Sequence, residues 1–245
     1  GYSADQTLNI AQTLYEKKAI TYPRTGSRYI GEDVFEKIEE LFQHLADTAE
    51  ESIAAISRNL IGAKLNKRSV DEKKVTDHHA LLVTEEKPGP LNKEQQHIYN
   101  MIAKRMVESF SEVCLKDITT VVLDVNGVEL IAKGTVIRQY GWRLSAEQVE
   151  LPDEDKNSDD QDNENAQLPK LTAEELLAIL TVELAERFTK ARPIHTEASL
   201  LKAMETSGKE IEDEEMRQAM KDCGLGTPAT RAATIETLPP SFCSY

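Results

Sequence analysis

Residues 20 to 30 read Ile-Thr-Tyr-Pro-Arg-Thr-Gly-Ser-Arg-Tyr-Ile, which sets a tyrosine hydroxyl beside two guanidinium groups and three small hydroxyl side chains. A tyrosine that attacks a phosphodiester needs cations to hold the non-bridging oxygens, and the planar donor forks of Arg24 and Arg28 suit phosphate. Tyr22 is the candidate nucleophile, Arg24 the cation nearest to it in sequence, and Thr25, Ser27 and Arg28 are candidate strand contacts. A free phenol titrates near pH 10, so presenting its phenolate at pH 7 costs about 4 kcal/mol, which nearby positive charge or a general base must offset. Most tyrosines are packing residues, so the segment needs support from the rest of the chain.

The elements that would position it are legible in outline. Ser3 with Gln6 is a capping-box signature, and Leu8, Ala11, Leu14 and Tyr15 form a helical stripe running to Lys18, which leaves Tyr22 just past the helix end. Further helices are expected over Val34 to Ala46, over Ser52 to Leu60 and from Asn92 to Phe110, so residues 1–112 read as a helical domain. Residues 113–195 read as β-rich. Asn126-Gly127 between two β-branched runs signals a hairpin, and further strands are expected over Gly134 to Tyr140 and Ala178 to Arg187. Trp142 reads as a core anchor, with base stacking the rarer alternative. Helix returns over 196–245: Thr196 opens Glu197 to Glu205, Glu214 to Cys223 follows, and then Thr227 stands at an N-cap with Pro228 at the first helical position. Thr227, Thr230 and Arg231 there could hold a phosphate, or could belong to a well-capped helix and nothing more.

The chain carries 29 basic and 43 acidic residues for a net charge of −14, which argues against a nucleic-acid partner until the charge is located. The acid is concentrated. Residues 153–164 hold seven carboxylates and 210–215 hold five, whereas residues 51–100 carry eight basic groups against seven acidic ones. The acidic stretch 153–165 reads as a disordered or solvated loop. Apolar runs such as Leu176 to Val182 are too short to span a bilayer and no signal peptide opens the sequence, so a cytoplasmic protein without a membrane partner is expected. Cys114, Cys223 and Cys243 are widely spaced and odd in number, which suggests reduced thiols rather than disulfides or a zinc site. The start Gly-Tyr-Ser, without an initiator Met, reads as a segment of a longer polypeptide.

Three motifs in order resemble the type IA DNA topoisomerases, most closely their bacterial topoisomerase III branch. Leu14 to Tyr29 is similar to the active-site segment, with the family's tyrosine at Tyr22. Thr76-Asp-His-His-Ala-Leu-Leu-Val-Thr84 is similar to the histidine motif. Thr196 to Met204 with Gly224-Leu-Gly-Thr-Pro-Ala-Thr-Arg-Ala232 is similar to the strand-binding helical segment. The resemblance implies a multidomain α and β fold: a helical active-site domain hung from an antiparallel β arch, plus a helical DNA-binding segment, in a toroid. It implies ATP-independent strand cleavage and rejoining through a 5′-phosphotyrosine, with single-stranded DNA as partner. His78 would donate to a phosphate oxygen, with His79 the second choice and a strand contact. It also implies Mg²⁺ bound by a Toprim domain elsewhere in the parent polypeptide, no metal or other cofactor on this segment, and an isolated segment that is inactive. Two departures stand out: Gly26 replaces the family's usual acidic residue, and the tail Pro-Pro-Ser-Phe-Cys-Ser-Tyr245 leaves the pattern. A single-strand-binding module without catalysis is the alternative compatible with the same residues.

Overall fold

The computed structural model describes residues 1–145, 168–184, 193–207 and 224–238, with positions 186, 188, 189, 191, 213 and 215–217. The acidic stretch 153–165, Cys223, Cys243 and the tail 239–245 lie outside the described residues, as does most of the helix expected over 214–223. The chain forms two compact units, residues 1–111 with 193–245, and residues 112–192. It is a mixed helix and sheet structure.

In the first unit, α1 (Ala4–Glu16) starts at a complete capping box: Ser3 Oγ accepts from Gln6 N, and Gln6 Oε1 accepts from Ser3 N at 3.0 Å. It ends in a Schellman turn. Lys18 N donates to the Tyr15 carbonyl, Ala19 N donates to that of Leu14, and Lys18 itself is left-handed at φ 58°. Ala19 and Leu14 are both fully buried, which completes the motif's apolar contact. A Cβ in that region is strained. Lys18→Gly is therefore expected to raise stability by about 0.5–1 kcal/mol, read as a higher urea midpoint at unchanged slope.

The single helix expected over 34–46 is two, α2 (Glu32–Phe35) and α3 (Ile38–Thr48). The break at Glu36-Lys37 lets Phe35 meet Phe110 with ring centroids 6.1 Å apart, while Ile38, Leu41, Phe42 and Leu45 turn into the core. Next, α4 (Glu51–Leu60) packs on α3. The long α5 (Lys93–Phe110) opens with a second capping box, Asn92 with Gln95, and packs on both α1 and α4. Phe42 and Phe110 meet edge to face at 6.0 Å in the middle of this core. From the far end of the chain, α6 (Glu197–Thr206), capped by Thr196, packs on α7 (Arg231–Glu236), which packs on α1.

Tyr99 on α5 is buried and its hydroxyl has no hydrogen-bond partner among the described residues, and burial pushes its pKa up to about 12. An unpaired buried hydroxyl is a net cost, so Tyr99→Phe is expected to stabilise by about 1 kcal/mol. The unfolded phenol ionises near pH 10 and the folded one near 12, so the native chain loses stability as pH rises through that window. Urea midpoints of the two proteins should therefore diverge further above pH 10.

The second unit is built on β1 (Leu115–Val125) and β2 (Val128–Gln139), paired antiparallel through a two-residue turn in which Asn126 and Gly127 both take positive φ. β2 is one continuous strand, where two were expected. Most of both strands' side chains remain exposed, and residues 178–184, expected to be a strand, make no sheet pairing and are exposed. Run length and β-branching signal extended backbone, but pairing needs a partner edge that local sequence does not supply. Trp142 is not a core anchor: it is half-buried in the 3-10 turn Gly141–Ser145 with the Arg143 guanidinium 5.5 Å from its ring centroid. Gly141, at φ 52°, passes so close to the carbonyls of Glu112 and Val113 that a Cβ would strike them. Cys114 is a free, half-buried thiol. Among the described residues no helix is long and apolar enough to cross a membrane.

Candidate active site

The Schellman turn ends α1 and sends the chain back across the unit as a short extended stretch. Thr21 N donates to Leu82 O at 2.9 Å, Thr84 N donates to Ala19 O at 3.2 Å, and Ile20 and Val83, both buried, form an antiparallel bridge. Thr21 Oγ1 also accepts from Leu82 N at 2.9 Å, so one threonine grips Leu82 from backbone and side chain. Pro23 disfavours helical backbone at Tyr22. Further along, Ala80 N donates to Tyr29 O at 2.8 Å and Thr25 Oγ1 to His78 O at 3.0 Å. These contacts lay the histidine segment along the tyrosine segment.

Tyr22 and His78 consequently meet, with ring centroids 4.6 Å apart and planes tilted by 49°. Tyr22 is half-buried and His78 exposed, so solvent and a substrate can reach the pair. His79 turns to the backbone instead, its Nδ1 lying 2.7 Å from Ala80 O. On the other side of Tyr22 stands Tyr15, edge-on at 5.3 Å. Arg24 is half-buried and donates from Nη1 to Gln12 Oε1 at 2.6 Å. Arg28 donates from Nη2 to both carboxylate oxygens of Glu205 on α6, each at 2.9 Å. Ser27 is buried, and its hydroxyl is engaged with Tyr29 N and O at 3.1 Å. Beside it, Lys74 Nζ lies 4.7 Å from the Tyr29 ring centroid. The hydrogen bond that Lys74 donates to Asp71 and the Asp71 charge, then the nearby Tyr29, hold the Lys74 pKa up, and the same bond holds the Asp71 carboxyl below its ordinary value.

The third motif reaches the same place. A Cβ on Gly26 would lie 3.3 Å from Pro228 Cγ, so the two loops touch there, and an acidic side chain at 26 would need Pro228 to give way slightly. Helix α7 begins at Arg231, not at Pro228, and its cap is Thr230 without a side-chain hydrogen bond. Arg231 explains the difference. Its Nε donates to Leu225 O at 2.9 Å and its Nη2 to Gly226 O at 3.1 Å, folding the loop back over the first turn. Thr230 Oγ1 accepts from Thr227 N at 3.0 Å, which closes residues 227–230 as a turn. Gly224, at φ 61°, lets Leu225 N reach Met204 O at 2.7 Å. Tyr22 and His78 are thus brought together and Thr25 is tied to the His78 backbone, while Arg24 and Arg28 of the same segment are held by Gln12 and Glu205, and Thr227, Thr230 and Arg231 form a loop that approaches the segment where Pro228 faces Gly26.

Sequence reasoning missed Gln12, Thr21 and Glu205 as parts of this site. Gln12 and Glu205 lie on helices beside ordinary polar residues, and only the fold shows which ones meet the arginines. Thr21 sits next to the tyrosine, but its double grip needs Leu82 as partner.

A family model described as DNA topoisomerase matches residues 1–240. The chain belongs to the DNA topoisomerase family. Among curated members, DNA topoisomerase 3 of Bacillus licheniformis is 32% identical over 249 residues, covering 99% of this chain and 33% of that protein. DNA topoisomerase 3 of Bacillus subtilis gives the same figures. That of Vibrio cholerae is 30% identical over 241 residues, covering 97% of this chain and 36% of that protein. The solved structure of full-length topoisomerase I from Thermotoga maritima has a similar fold, with a TM-score of 0.52 at 21% identity, covering 96% of this chain and 34% of that one. The chain spans about a third of the length of the curated topoisomerases it matches.

Proposed function

We propose that this chain is the nucleophile-bearing part of a type IA DNA topoisomerase that cuts and rejoins one DNA strand and so relaxes or decatenates DNA. The observation that carries the proposal is the meeting of Tyr22 and His78 at 4.6 Å, in a topoisomerase-family chain, from positions far apart in sequence. Tyr22 Oη attacks a backbone phosphorus and gives up its proton to solvent. The P–O3′ bond breaks, the departing O3′ takes a proton from solvent and leaves as a 3′-hydroxyl, and the other end stays on the tyrosine as a 5′-phosphotyrosine. The reverse attack by the 3′-hydroxyl restores the strand. The phosphodiester's energy is kept in the phosphotyrosine, so ATP is not required.

His78 donates to a non-bridging oxygen and Arg24 balances the charge that builds on the phosphate. Arg28, Thr25 and the Thr227, Thr230 and Arg231 loop are the proposed strand-contacting surface, and Ser27 and His79, whose side chains engage the backbone, would support it rather than touch the strand. The family's Mg²⁺ would be supplied by a Toprim domain of the parent. Among the described residues no group of three His, Cys, Asp or Glu side chains is placed to hold a metal. Residues 1–112 would serve as the tyrosine domain, 113–195 as part of the arch and 196–245 as the start of the strand-gripping domain of a toroid. The working place is the cytoplasm, on nucleoid DNA.

The test mixes the chain with Mg²⁺, a labelled single strand and the metal-binding domain of a curated relative. A denaturation-resistant adduct whose label maps to the Tyr22 peptide is expected. Absence of an adduct overturns the proposal, and single-strand binding without one would leave the non-catalytic module as the function.

A further inference from the structure

The two arginines of the Tyr22 segment are held in electrically opposite ways. Arg28 faces a carboxylate, that of Glu205, and its charge is matched. Arg24 faces an amide oxygen, that of Gln12, and among the described residues it has no carboxylate within ion-pair distance. Gln12 is itself anchored: its Nε2 donates to Glu16 Oε1 at 3.1 Å one turn later on α1, which leaves its oxygen to receive Arg24. Gln12 thus fixes the guanidinium from a rigid helix, one turn before Tyr15 places its ring edge-on to Tyr22.

We propose that Gln12 is a positioning residue for the strand-cleavage reaction, its neutral amide orienting the Arg24 guanidinium while leaving the whole positive charge to a DNA phosphate. The inference rests on the assignment of Arg24 to the phosphate. A carboxylate in the same place would hold the guanidinium more tightly, since charge-assisted bonds are the stronger ones. It would also cancel the charge, and an incoming phosphate would have to compete with it. An amide gives the geometry without the neutralisation. The Arg28 and Glu205 pair supplies the contrast within the same segment.

Gln12→Glu separates these effects in the binding readout, because the replacement is isosteric and keeps the acceptor for Arg24, although it exchanges the donor to Glu16 for a like charge. If Gln12 were only a structural brace, the variant would bind DNA with the salt slope of the unsubstituted chain. Positioning of an uncompensated charge gives another result. Binding of the 245-residue chain to a short single strand should weaken about 5-fold to 10-fold at low salt, and the slope of log K against log salt should shrink by about 0.7, one phosphate contact. Adduct formation in the mixed assay should fall at least about 10-fold. Asn9→Glu adds the same charge one turn earlier on α1 and controls for general repulsion; it should change the slope by less than half as much. Equal salt slopes for Gln12→Glu and the unsubstituted chain overturn the inference, as does an equal loss in Asn9→Glu or the absence of any salt-dependent binding. The nucleophile assignment fails by a different sign, an adduct that persists in Tyr22→Phe, and the salt slope does not depend on that bond forming.

Discussion

Tyr22→Phe is expected to form no denaturation-resistant adduct, a loss beyond about 10⁴-fold, since removing a covalent nucleophile leaves only binding and electrostatic stabilisation in place. The substitution is a clean one. Phenylalanine keeps the ring that lies 4.6 Å from His78 and 5.3 Å from Tyr15, and among the described residues no hydrogen bond to the Tyr22 hydroxyl is lost. Stability should therefore change by no more than about 0.5 kcal/mol, and affinity for a single strand should stay within 2-fold. A gel of the labelled strand after denaturation, beside a binding isotherm, checks both halves. An adduct of equal yield in the variant would place the nucleophile elsewhere.

Phe110→Ala should have the largest effect on the fold. Phe110 is almost wholly buried, packs on Phe35 and Phe42 at 6.1 and 6.0 Å, and its carbonyl receives Asn66 N at 3.0 Å. It therefore ties α2, α3, α5 and the loop after α4 into one core. Truncating a buried phenylalanine costs about 3–5 kcal/mol, and domains are stable by only about 5–15 kcal/mol. The variant should lose a large part of its urea midpoint and become sensitive to protease at temperatures the native chain tolerates. A change below about 1 kcal/mol would show that the aromatic cluster does not carry the core.

What could be read from the sequence was local. The capping box at Ser3, the helix start after Asn92, the stripes of α1, α3 and α5, and the Asn126-Gly127 turn all formed, because each depends on residues within one or two turns of chain. The break between α2 and α3 was not readable, since the apolar stripe runs on through both and the partners that Phe35 meets there, Phe110 and Lys67, are distant in sequence. The extended stretch at 178–184 has strand-like composition but no neighbouring edge. In the candidate site, Tyr22, Arg24 and His78 were legible from residue type and motif. Their supports were not: Gln12 and Glu205 act across a helix end and across 177 residues respectively, and Thr21 acts through a bridge to Leu82.

That bridge also governs when the site comes into being. Tyr22 and His78 stand together only because residues 19–21 are stitched to 82–84, and the helices α2 to α4 lie in the intervening loop. With that loop unfolded, a flexible coil of its length separates the two side chains by about 40 Å on average. Closing it carries an entropic cost that the packing of α2 to α4 must recover first. A chain still emerging from synthesis, or one locally melted around α3, therefore has the tyrosine but not the partner, and the strand cleavage proposed for the pair would arise only with the completed native fold.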